Sequence, residues 1–392
     1  MWALNANRHT CYHRPVIYWD SNAGAPLLPQ LAAPLTEAML ASGNPSSVHQ
    51  VGRSARRRID AARETVAKAF GCMPREVVFT GSGSEAAAIA ILGVWAGRKD
   101  LKRTRIVTSA IEHPCVLGSV ERLEREGASV VRVKPEASGA ISLEAMSEAL
   151  TEDTLLCSLM AVNNETGVIQ PVNEVSRLCT KRGILFHCDA VQAIGRVPLS
   201  LREVPADTLS FSAHKLGGPA GIGALINRRG LDIVGLTPGH QENGRRGGTQ
   251  NVALAEALGL ALGITLAHAE ADTARITALR DRFEREVQAA LPQVHVNGGN
   301  APRVGNTSNL RFEGADGEAM LIALDLAGIC VSSGAACASG SLTPSHVLTA
   351  MGLTPAQAQA SLRFSLGRSS TDDEVTQVVA ALITLAKKTG AS

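Results

Sequence analysis

The sequence has little net charge, few aromatic residues and no cysteine pair of the Cys-x-x-Cys type. Its 38 basic and 36 acidic residues leave a formal charge of +2, so we expect neither a nucleic-acid-binding surface nor a polybasic membrane patch. Eight cysteines spread over 392 residues do not resemble a disulfide framework, which favours a reducing compartment. Aromatic residues make up 3% of the chain and hydrophobic residues 45%, which is typical of a soluble α/β protein.

Signals for export or membrane insertion are also lacking. The first 14 residues contain no apolar run of signal-peptide length and are expected to be a frayed extension, so we expect a cytoplasmic protein. Residues 252–269 are apolar enough to resemble a membrane span, but Glu256, a histidine and two glycines interrupt them. Because Gln250 and Asn251 precede this stretch like a helix cap, we predict a buried helix.

Short apolar segments alternate with helical patterns from about residue 30 to residue 230, as expected for βα units around a mostly parallel sheet. The pattern predicts an amphipathic helix at 54–70 that ends at Gly71. After residue 270 the pattern is less regular and predicts a smaller α+β domain with a separate charged helix at 274–291. Strands are expected at 77–80, 105–109, 129–133, 155–160, 184–189, 208–212, 221–226 and 308–312, and a closing helix begins at Asp372.

Three segments at predicted strand ends carry candidate chemistry. Residues 81–84, Gly-Ser-Gly-Ser, precede a helix and are either an ordinary βα loop or a phosphate site built from helix N–H groups and a serine hydroxyl. Residues 212–215, Ser-Ala-His-Lys, favour a Schiff-base role for Lys215 over that of a surface lysine. Asp189 could hold a pyridinium nitrogen protonated or cap a helix, and both interpretations stay open at this point.

Five motifs follow one another along the chain: Asn163-Asn164-Glu165-Thr166-Gly167, Asp189-Ala190-Val191-Gln192, Ser212-Ala213-His214-Lys215, Arg245-Arg246-Gly247-Gly248-Thr249 and Ser332-Ser333-Gly334-Ala335-Ala336-Cys337. Glu112-His113 and residues 361–365 (Ser-Leu-Arg-Phe-Ser) accompany them. In this order the motifs resemble those of the cysteine desulfurases of the class V aminotransferase family, and the similarity extends from about Ile17 to Leu382.

The resemblance implies an α/β fold of the type I pyridoxal-phosphate-dependent kind, with a mostly parallel seven-stranded sheet in the large domain, a smaller α+β domain and a homodimer. We assign residues 26–270 to the large domain, and residues 1–25 and 271–392 to the small domain with the cysteine loop.

The resemblance also implies the roles of the site residues. Lys215 would carry pyridoxal phosphate, Asp189 would pair with its ring nitrogen, Gln192 would contact its ring oxygen and His113 would stack on the ring. Asn164 and Arg363 would bind the substrate carboxylate, a task suited to the guanidinium fork. The phosphate would be held by Gly83, Ser84, Ser212 and His214 of the same subunit, together with Thr249 of the partner subunit.

The implied reaction converts L-cysteine to L-alanine and leaves the sulfur as a persulfide on Cys337. Lys215 would move the α-proton, and His113 would assist deprotonation of the thiol or shuttle its proton. A free cysteine is more often a small buried hydrophobe, but the small residues around Cys337 favour an exposed loop. This loop resembles the longer version found in desulfurases that deliver sulfur to several acceptors, such as an iron-sulfur scaffold protein.

Some features depart from this pattern or allow other interpretations. Gly24 and Ala25 stand where the family usually has two threonines, and Ala88 stands where it commonly has asparagine. The His113/Cys115 and His187/Cys188 pairs lack metal-site spacing, so we expect no metal. The alternatives are a selenocysteine lyase, another β-eliminating paralogue, or a sulfur-relay subunit with weak catalysis.

Overall fold

The computed structural model describes residues 16–41, 43–333 and 343–389. The strands of these residues form one seven-stranded, one four-stranded and one two-stranded sheet. Their bounds are β1 Ile17–Tyr18, β2 Val77–Thr80, β3 Arg105–Ser109, β4 Ser129–Val133, β5 Thr154–Met160, β6 Leu185–Asp189, β7 Thr208–Ser212, β8 Gly223–Asn227, β9 Val294–Val296, β10 Thr307–Phe312, β11 Ile329–Cys330, β12 Ser332–Ser333 and β13 Ser361–Ser365.

The α-helices lie on both sides of the large sheet and around the smaller ones. Their bounds are α1 Ala32–Leu40, α2 Gln50–Phe70, α3 Gly83–Gly97, α4 Pro114–Arg125, α5 Leu143–Ala149, α6 Val172–Arg182, α7 Val252–Ala290, α8 Gly317–Leu326, α9 His346–Ala350, α10 Pro355–Gln359 and α11 Asp372–Thr389.

The large sheet has the strand order β2-β8-β7-β6-β5-β3-β4. Strand β8 pairs antiparallel with β2 and β7, and the remaining pairs are parallel. Every residue of β5 is buried, as expected for a central parallel strand covered on both faces. The predicted seven-stranded, mostly parallel sheet is therefore confirmed.

Alternating side chains of the large sheet enter two different cores. Ile106 and Leu156 pack with apolar residues of α3 and α4 on one face. Val107 and Cys157 pack with α2, α5, α6 and α7 on the other face. This period of two follows from the pleat of a strand, so the almost continuous apolar sequence of these strands serves both faces.

A further core joins the beginning of the described chain to its end. Trp19 contacts Phe283 edge-to-face, with ring centroids 5.1 Å apart, and Phe283 contacts Phe364 at 5.0 Å. The indole N–H of Trp19 donates to Glu374 on α11 at 3.0 Å. These residues surround the antiparallel sheet β12-β13-β10-β9, so the strand predicted at 308–312 belongs to this second layer.

Helix α7 corrects the prediction of two helices, because it runs without a break from Val252 to Ala290. Residues 270–273, Glu-Ala-Asp-Thr, are polar but contain neither glycine nor proline, so the helix continues through them. Asn251 caps its first turn by accepting the Leu254 N–H at 3.1 Å. The predicted domain boundary at residue 270 falls within this helix, and the division into domains stays a prediction.

Helix α7 is also the one helix of the described ranges that is long and apolar enough to cross a membrane. Its first half buries Leu258 and Leu262 in the core beside the large sheet. A core helix of this kind meets the same length and composition criteria as a membrane span, so the criteria alone do not indicate a membrane.

Candidate active site

Several predicted site residues lie where parallel strands of the large sheet end. Asp189 is the last residue of β6, Ser212 is the last residue of β7, and Gly83 begins α3 shortly after β2. Carboxyl ends of parallel strands meet at one edge of the sheet, where open α/β sheets bind their ligands. The strand order therefore brings together residues that are more than 100 positions apart in the sequence.

Lys215 lies at the end of a short 3-10 turn that follows β7. Its amine donates to the backbone carbonyls of Asn22 and Ala23, each at 2.6 Å. The pKa values of the His113 and His214 imidazoles are both lowered to about 4. Burial is the main cause, and the positive charge of the nearby Lys215 amine is the second. Lys215 is thus surrounded by imidazoles that are neutral at neutral pH.

Asp189 is buried, with 6% of its surface exposed. Burial raises the pKa of its carboxyl to about 6, while the Val191 N–H and the charge of Lys215 act in the opposite direction. Its Oδ1 accepts the Val191 N–H at 3.0 Å, and the residues that follow form a turn instead of a helix. The helix-capping interpretation of Asp189 is therefore wrong, and a buried carboxylate lies close to the Lys215 amine.

His113 caps helix α4 through its ring. Its Nδ1 accepts the backbone N–H of Cys115 at 3.2 Å and lies 3.0 Å from the Cys115 Sγ. Since a backbone N–H can only donate, the hydrogen-bond pattern assigns the proton of the neutral ring to Nε2. The neutral ring therefore carries its proton at Nε2, and Cys115, which was not predicted as a site residue, contacts the ring at Nδ1.

The turn before α3 is tightly packed. Ser82 caps the helix by accepting the Glu85 N–H at 3.0 Å. A Cβ atom on Gly83 would lie 2.9 Å from Val191 Cγ2 and 3.2 Å from Ser212 Cβ, so glycine allows the turn to approach the end of β7 closely. Ser84 is exposed at the first turn of the helix and hydrogen-bonds the Cys115 side chain.

Ser212 and His214 form the neighbouring part of the same region. The Ser212 hydroxyl lies 2.7 Å from Nδ1 of His214. Together with the N-terminus of α3, these groups offer hydroxyl and backbone donors of the kind that phosphate binds. This geometry is compatible with the predicted phosphate site, whose individual assignments stay predictions.

Thr249 is exposed in a loop that is anchored by Glu242. The Glu242 carboxylate accepts both terminal nitrogens of Arg63 at 2.7 and 2.8 Å and the Phe79 N–H at 2.9 Å. Glu242 has φ 50° and Asn243 has φ 56°, a left-handed backbone that is costly for residues other than glycine. The buried ion pair thus stabilises an unusual loop that leaves the Thr249 side chain exposed.

Arg363 and Asn164 meet on the side of the site formed by β13. The Arg363 side chain is 2% exposed, and one terminal nitrogen donates to the Asn164 carbonyl at 3.1 Å. The other terminal nitrogen donates to Asp20 Oδ1 at 2.8 Å. The Nε atom of Arg363 is buried without a hydrogen-bond partner among the described residues. A buried guanidinium with an unused donor is suited to a small carboxylate.

A family model described as Aminotransferase class-V matches residues 17–378. The chain belongs to the class-V aminotransferase family. It is 40% identical to a cysteine desulfurase from Trichormus azollae over 366 residues, which cover 93% of this chain and 91% of that protein.

Two solved structures are similar to this class-V aminotransferase fold. A NifS-like protein has a TM-score of 0.88 and 32% identity, covering 95% of this chain and 100% of that chain. SspA in complex with cysteine has a TM-score of 0.80 and 33% identity, covering 91% of this chain and 100% of that chain. The predicted type I pyridoxal-phosphate fold is confirmed by the family match, these structures and the seven-stranded sheet.

Class-V aminotransferases depend on pyridoxal phosphate, and the described residues fit this cofactor. A buried carboxylate, Asp189, could pair with a protonated ring nitrogen, and the Lys215 amine could bind the carbonyl carbon. The close approach of Gly83 to Ser212 forms a narrow cradle beside these groups. Within the described ranges, no group of three or more histidine, cysteine or acidic residues is arranged to hold a metal ion.

Cys337 lies outside the described residues, so its predicted role stays a prediction. The described chain on both sides of residues 334–342 is close to the site. Ser332 pairs with Arg363 across β12 and β13. After the gap, Ser345 donates to the Glu165 carboxylate, and His346 Nε2 donates to the Glu112 carbonyl at 2.9 Å, next to His113.

Asn22 and Arg196, to which the sequence motifs assign no role, connect the predicted site residues. Gln192 Nε2 donates to the Asn22 carbonyl at 3.0 Å, and the Arg196 guanidinium donates to the Gln192 side-chain oxygen. The sequence feature that could have identified Asn22 is its position directly before Ala23-Gly24-Ala25, a segment that differs from the class-V desulfurases.

Proposed function

We propose that this chain is a pyridoxal-phosphate-dependent cysteine desulfurase. It converts L-cysteine and one enzyme thiol to L-alanine and an enzyme persulfide. The C–S bond of the substrate breaks, an S–S bond to Cys337 forms, and a proton replaces sulfur on the substrate carbon. No other oxidant or reductant is required, because the substrate carbon is reduced by the same two electrons by which the sulfur is oxidised to the persulfide level.

The observation that carries the proposal is the buried Arg363 guanidinium, whose Nε has no hydrogen-bond partner among the described residues. An α-amino acid needs hydrogen-bond donors for its carboxylate and a group that reacts near its amine. Arg363 can satisfy the first need, and Lys215 the second, with Asn22 between them. The structural similarity to SspA in complex with cysteine supports a small amino acid as the ligand.

Bound pyridoxal phosphate supplies an electron sink for the electrons released at the substrate Cα. Lys215 would hold the cofactor, and its amine would take the α-proton of the substrate and return a proton to carbon. Asp189, buried at the end of β6, would hold the ring nitrogen protonated. Burial first, and the positive charge of Lys215 second, lower the pKa of His113, so its ring is neutral and carries its proton at Nε2.

Cys337 acts as the sulfur acceptor in this proposal, since the thiolate is the nucleophilic form of cysteine. Cys115, beside His113, is less suited, because burial raises the pKa of its thiol to about 12. Gly83, Ser84, Ser212 and His214 would hold the phosphate, and Gln192 the ring oxygen.

Two such chains would form a homodimer in which Thr249 of one subunit completes the phosphate site of the other. In each chain, residues 26–270 would form the large domain, and residues 1–25 and 271–392 the small domain. The sulfur would then be delivered to an acceptor such as an iron-sulfur scaffold protein. Trp19, packed against Phe283, supports the contribution of the early chain to the small domain. The described cysteines are free thiols, which supports a reducing, cytoplasmic location.

The deciding experiment measures alanine and sulfide formed from L-cysteine by the purified protein with added pyridoxal phosphate and a reducing thiol. Stoichiometric alanine and sulfide, with neither product from Lys215→Ala, is the expected result. Pyruvate and ammonia in place of alanine would indicate β-elimination. A strong preference for L-selenocysteine would favour the lyase alternative.

A further inference from the structure

We infer that Asn22 is a positioning residue that connects the lysine side of the site to its carboxylate-binding side. This inference rests on the proposed function and adds a residue to which the sequence motifs assign no role. Asn22 is 2% exposed and lies between the large sheet and the antiparallel sheet. Its backbone and side chain contact both groups of predicted site residues.

The backbone of Asn22 serves the lysine side. Its carbonyl accepts the Lys215 amine at 2.6 Å and Gln192 Nε2 at 3.0 Å. Its N–H donates to the Ser365 hydroxyl at 3.0 Å, which fixes this backbone segment to β13. The Lys215 amine must therefore leave the Asn22 carbonyl when it binds the carbonyl carbon of the cofactor.

The side chain of Asn22 serves the carboxylate side. Its Nδ2 donates to the Asn164 carbonyl at 3.1 Å and to the Thr307 hydroxyl at 2.9 Å. Arg363 donates to the same Asn164 carbonyl at 3.1 Å. Because one carbonyl oxygen accepts from both residues, a change at Asn22 alters the position of Asn164 relative to the Arg363 guanidinium.

The orientation of the Asn22 amide is determined by its neighbours. Its Oδ1 accepts an Arg196 N–H at 3.0 Å and Asn306 Nδ2 at 3.0 Å. Arginine can only donate, so the oxygen must face Arg196 and the NH₂ group must face Asn164. Every polar atom of Asn22 thus has a partner, and the amide has one orientation that satisfies them.

Asn22→Asp tests this arrangement while keeping the shape of the side chain. The new carboxylate can still accept from Arg196, but its second oxygen would face the Asn164 carbonyl, an acceptor. Because two buried acceptors would then face each other without a hydrogen bond, Asn164 should shift, and the KM for L-cysteine should rise about ten- to a hundredfold. Asn22→Ser, which removes the amide without adding charge, should raise the KM in the same direction.

Cysteamine provides the readout that a general structural defect would not give, because it has the amine and thiol of cysteine without the carboxylate. We expect its apparent Kd for the holoenzyme, measured by titrating the cofactor absorbance, to stay within about twofold of wild type in both variants. The matched control is Asn227→Asp, which should leave the KM unchanged. Asn227 is a buried asparagine at the C-terminal end of β8.

Equal weakening of cysteamine and L-cysteine, or an unchanged KM in both Asn22 variants, would overturn the inference. If Asn22→Asp does not fold, the Asn22→Ser titrations decide alone. Failure of the proposed function is recognised separately, because the wild-type protein would then form no alanine from L-cysteine in the same assay.

Discussion

Arg363 donates to the carboxylate of Asp20 at 2.8 Å, so the predicted carboxylate-binding residue already has an anionic partner. The side chains are 2% and 21% exposed. Asp20 therefore compensates part of the guanidinium charge, while Arg363 Nε is buried without a hydrogen-bond partner among the described residues. If Arg363 binds the substrate carboxylate as proposed, that carboxylate would be a second anion beside the existing pair.

Asp20→Asn should lower the free energy of unfolding of the cofactor-loaded protein by about 1–3 kcal/mol, because it leaves a buried guanidinium less compensated. Saturating L-alanine should restore part of this loss, since a ligand that binds only the native state stabilises it. Denaturant titrations with and without L-alanine measure both effects. The control is Asp60→Asn, whose exposed ion pair with Arg56 should contribute little. A stable variant that L-alanine does not affect would contradict the assignment of Arg363.

Thr249→Ala and Lys215→Ala subunits should complement each other if Thr249 acts in the site of the other subunit. One of the two sites in a mixed dimer would then contain both intact residues. We expect each variant to be inactive alone, or strongly impaired in the case of Thr249→Ala, and activity to return after the two are unfolded and refolded together. Alanine formation by chromatographically verified mixed dimers measures the effect.

Lys215→Ala refolded with itself is the control for the mixing procedure. Mixed dimers that stay inactive, although Thr249→Ala alone is impaired, would show that the two residues serve the same subunit. The Arg63–Glu242 contact gives a reason to expect a well-ordered loop at Thr249, since it stabilises two residues with positive φ.

The parts of the fold that sequence analysis predicted depend on local patterns. Strands β3 and β4 have the predicted bounds because their apolar runs end at polar or turn residues, and Asp189 and Ser212 were placed correctly at strand ends. The sequence predicts two helices in place of α7 because residues 270–273 interrupt the apolar pattern, but polar residues alone do not end a helix. Asn22 was missed because its partners, among them Asn164 and Thr307, are distant in the sequence.

Glu112→Gln should make the stability of the protein less dependent on pH. Burial raises the pKa of the Glu112 carboxyl to about 8 from 4.5, with hydrogen bonds from Ser109 and Met160 acting against this rise. Between these values the native state holds a proton that the unfolded chain releases, so this group lowers stability as pH rises. Glutamine removes the titration, and its Oε1 can still accept from Ser109 and Met160.

We therefore expect the melting temperature to fall less between about pH 6 and about pH 8 in Glu112→Gln than in wild type, as measured by scanning calorimetry at matched ionic strength. Exposed Glu148→Gln is the control and should follow the wild-type profile. Parallel pH profiles for wild type and Glu112→Gln would mean that Glu112 does not titrate in this range.

Cys337→Ser should separate cofactor binding from sulfur capture. Serine keeps a similar volume, but its hydroxyl is a far poorer nucleophile toward sulfur than a thiolate. The variant should bind pyridoxal phosphate, change its absorbance when L-cysteine is added, and release little alanine.

The wild-type protein should carry one extra sulfur atom on the peptide that contains Cys337, measured by mass spectrometry without reductant. Cys330→Ser is the matched control and should retain alanine formation, because burial raises the pKa of the Cys330 thiol and disfavours its thiolate. A persulfide on Cys115 or Cys330, or full alanine formation by Cys337→Ser, would show that Cys337 is not the sulfur acceptor.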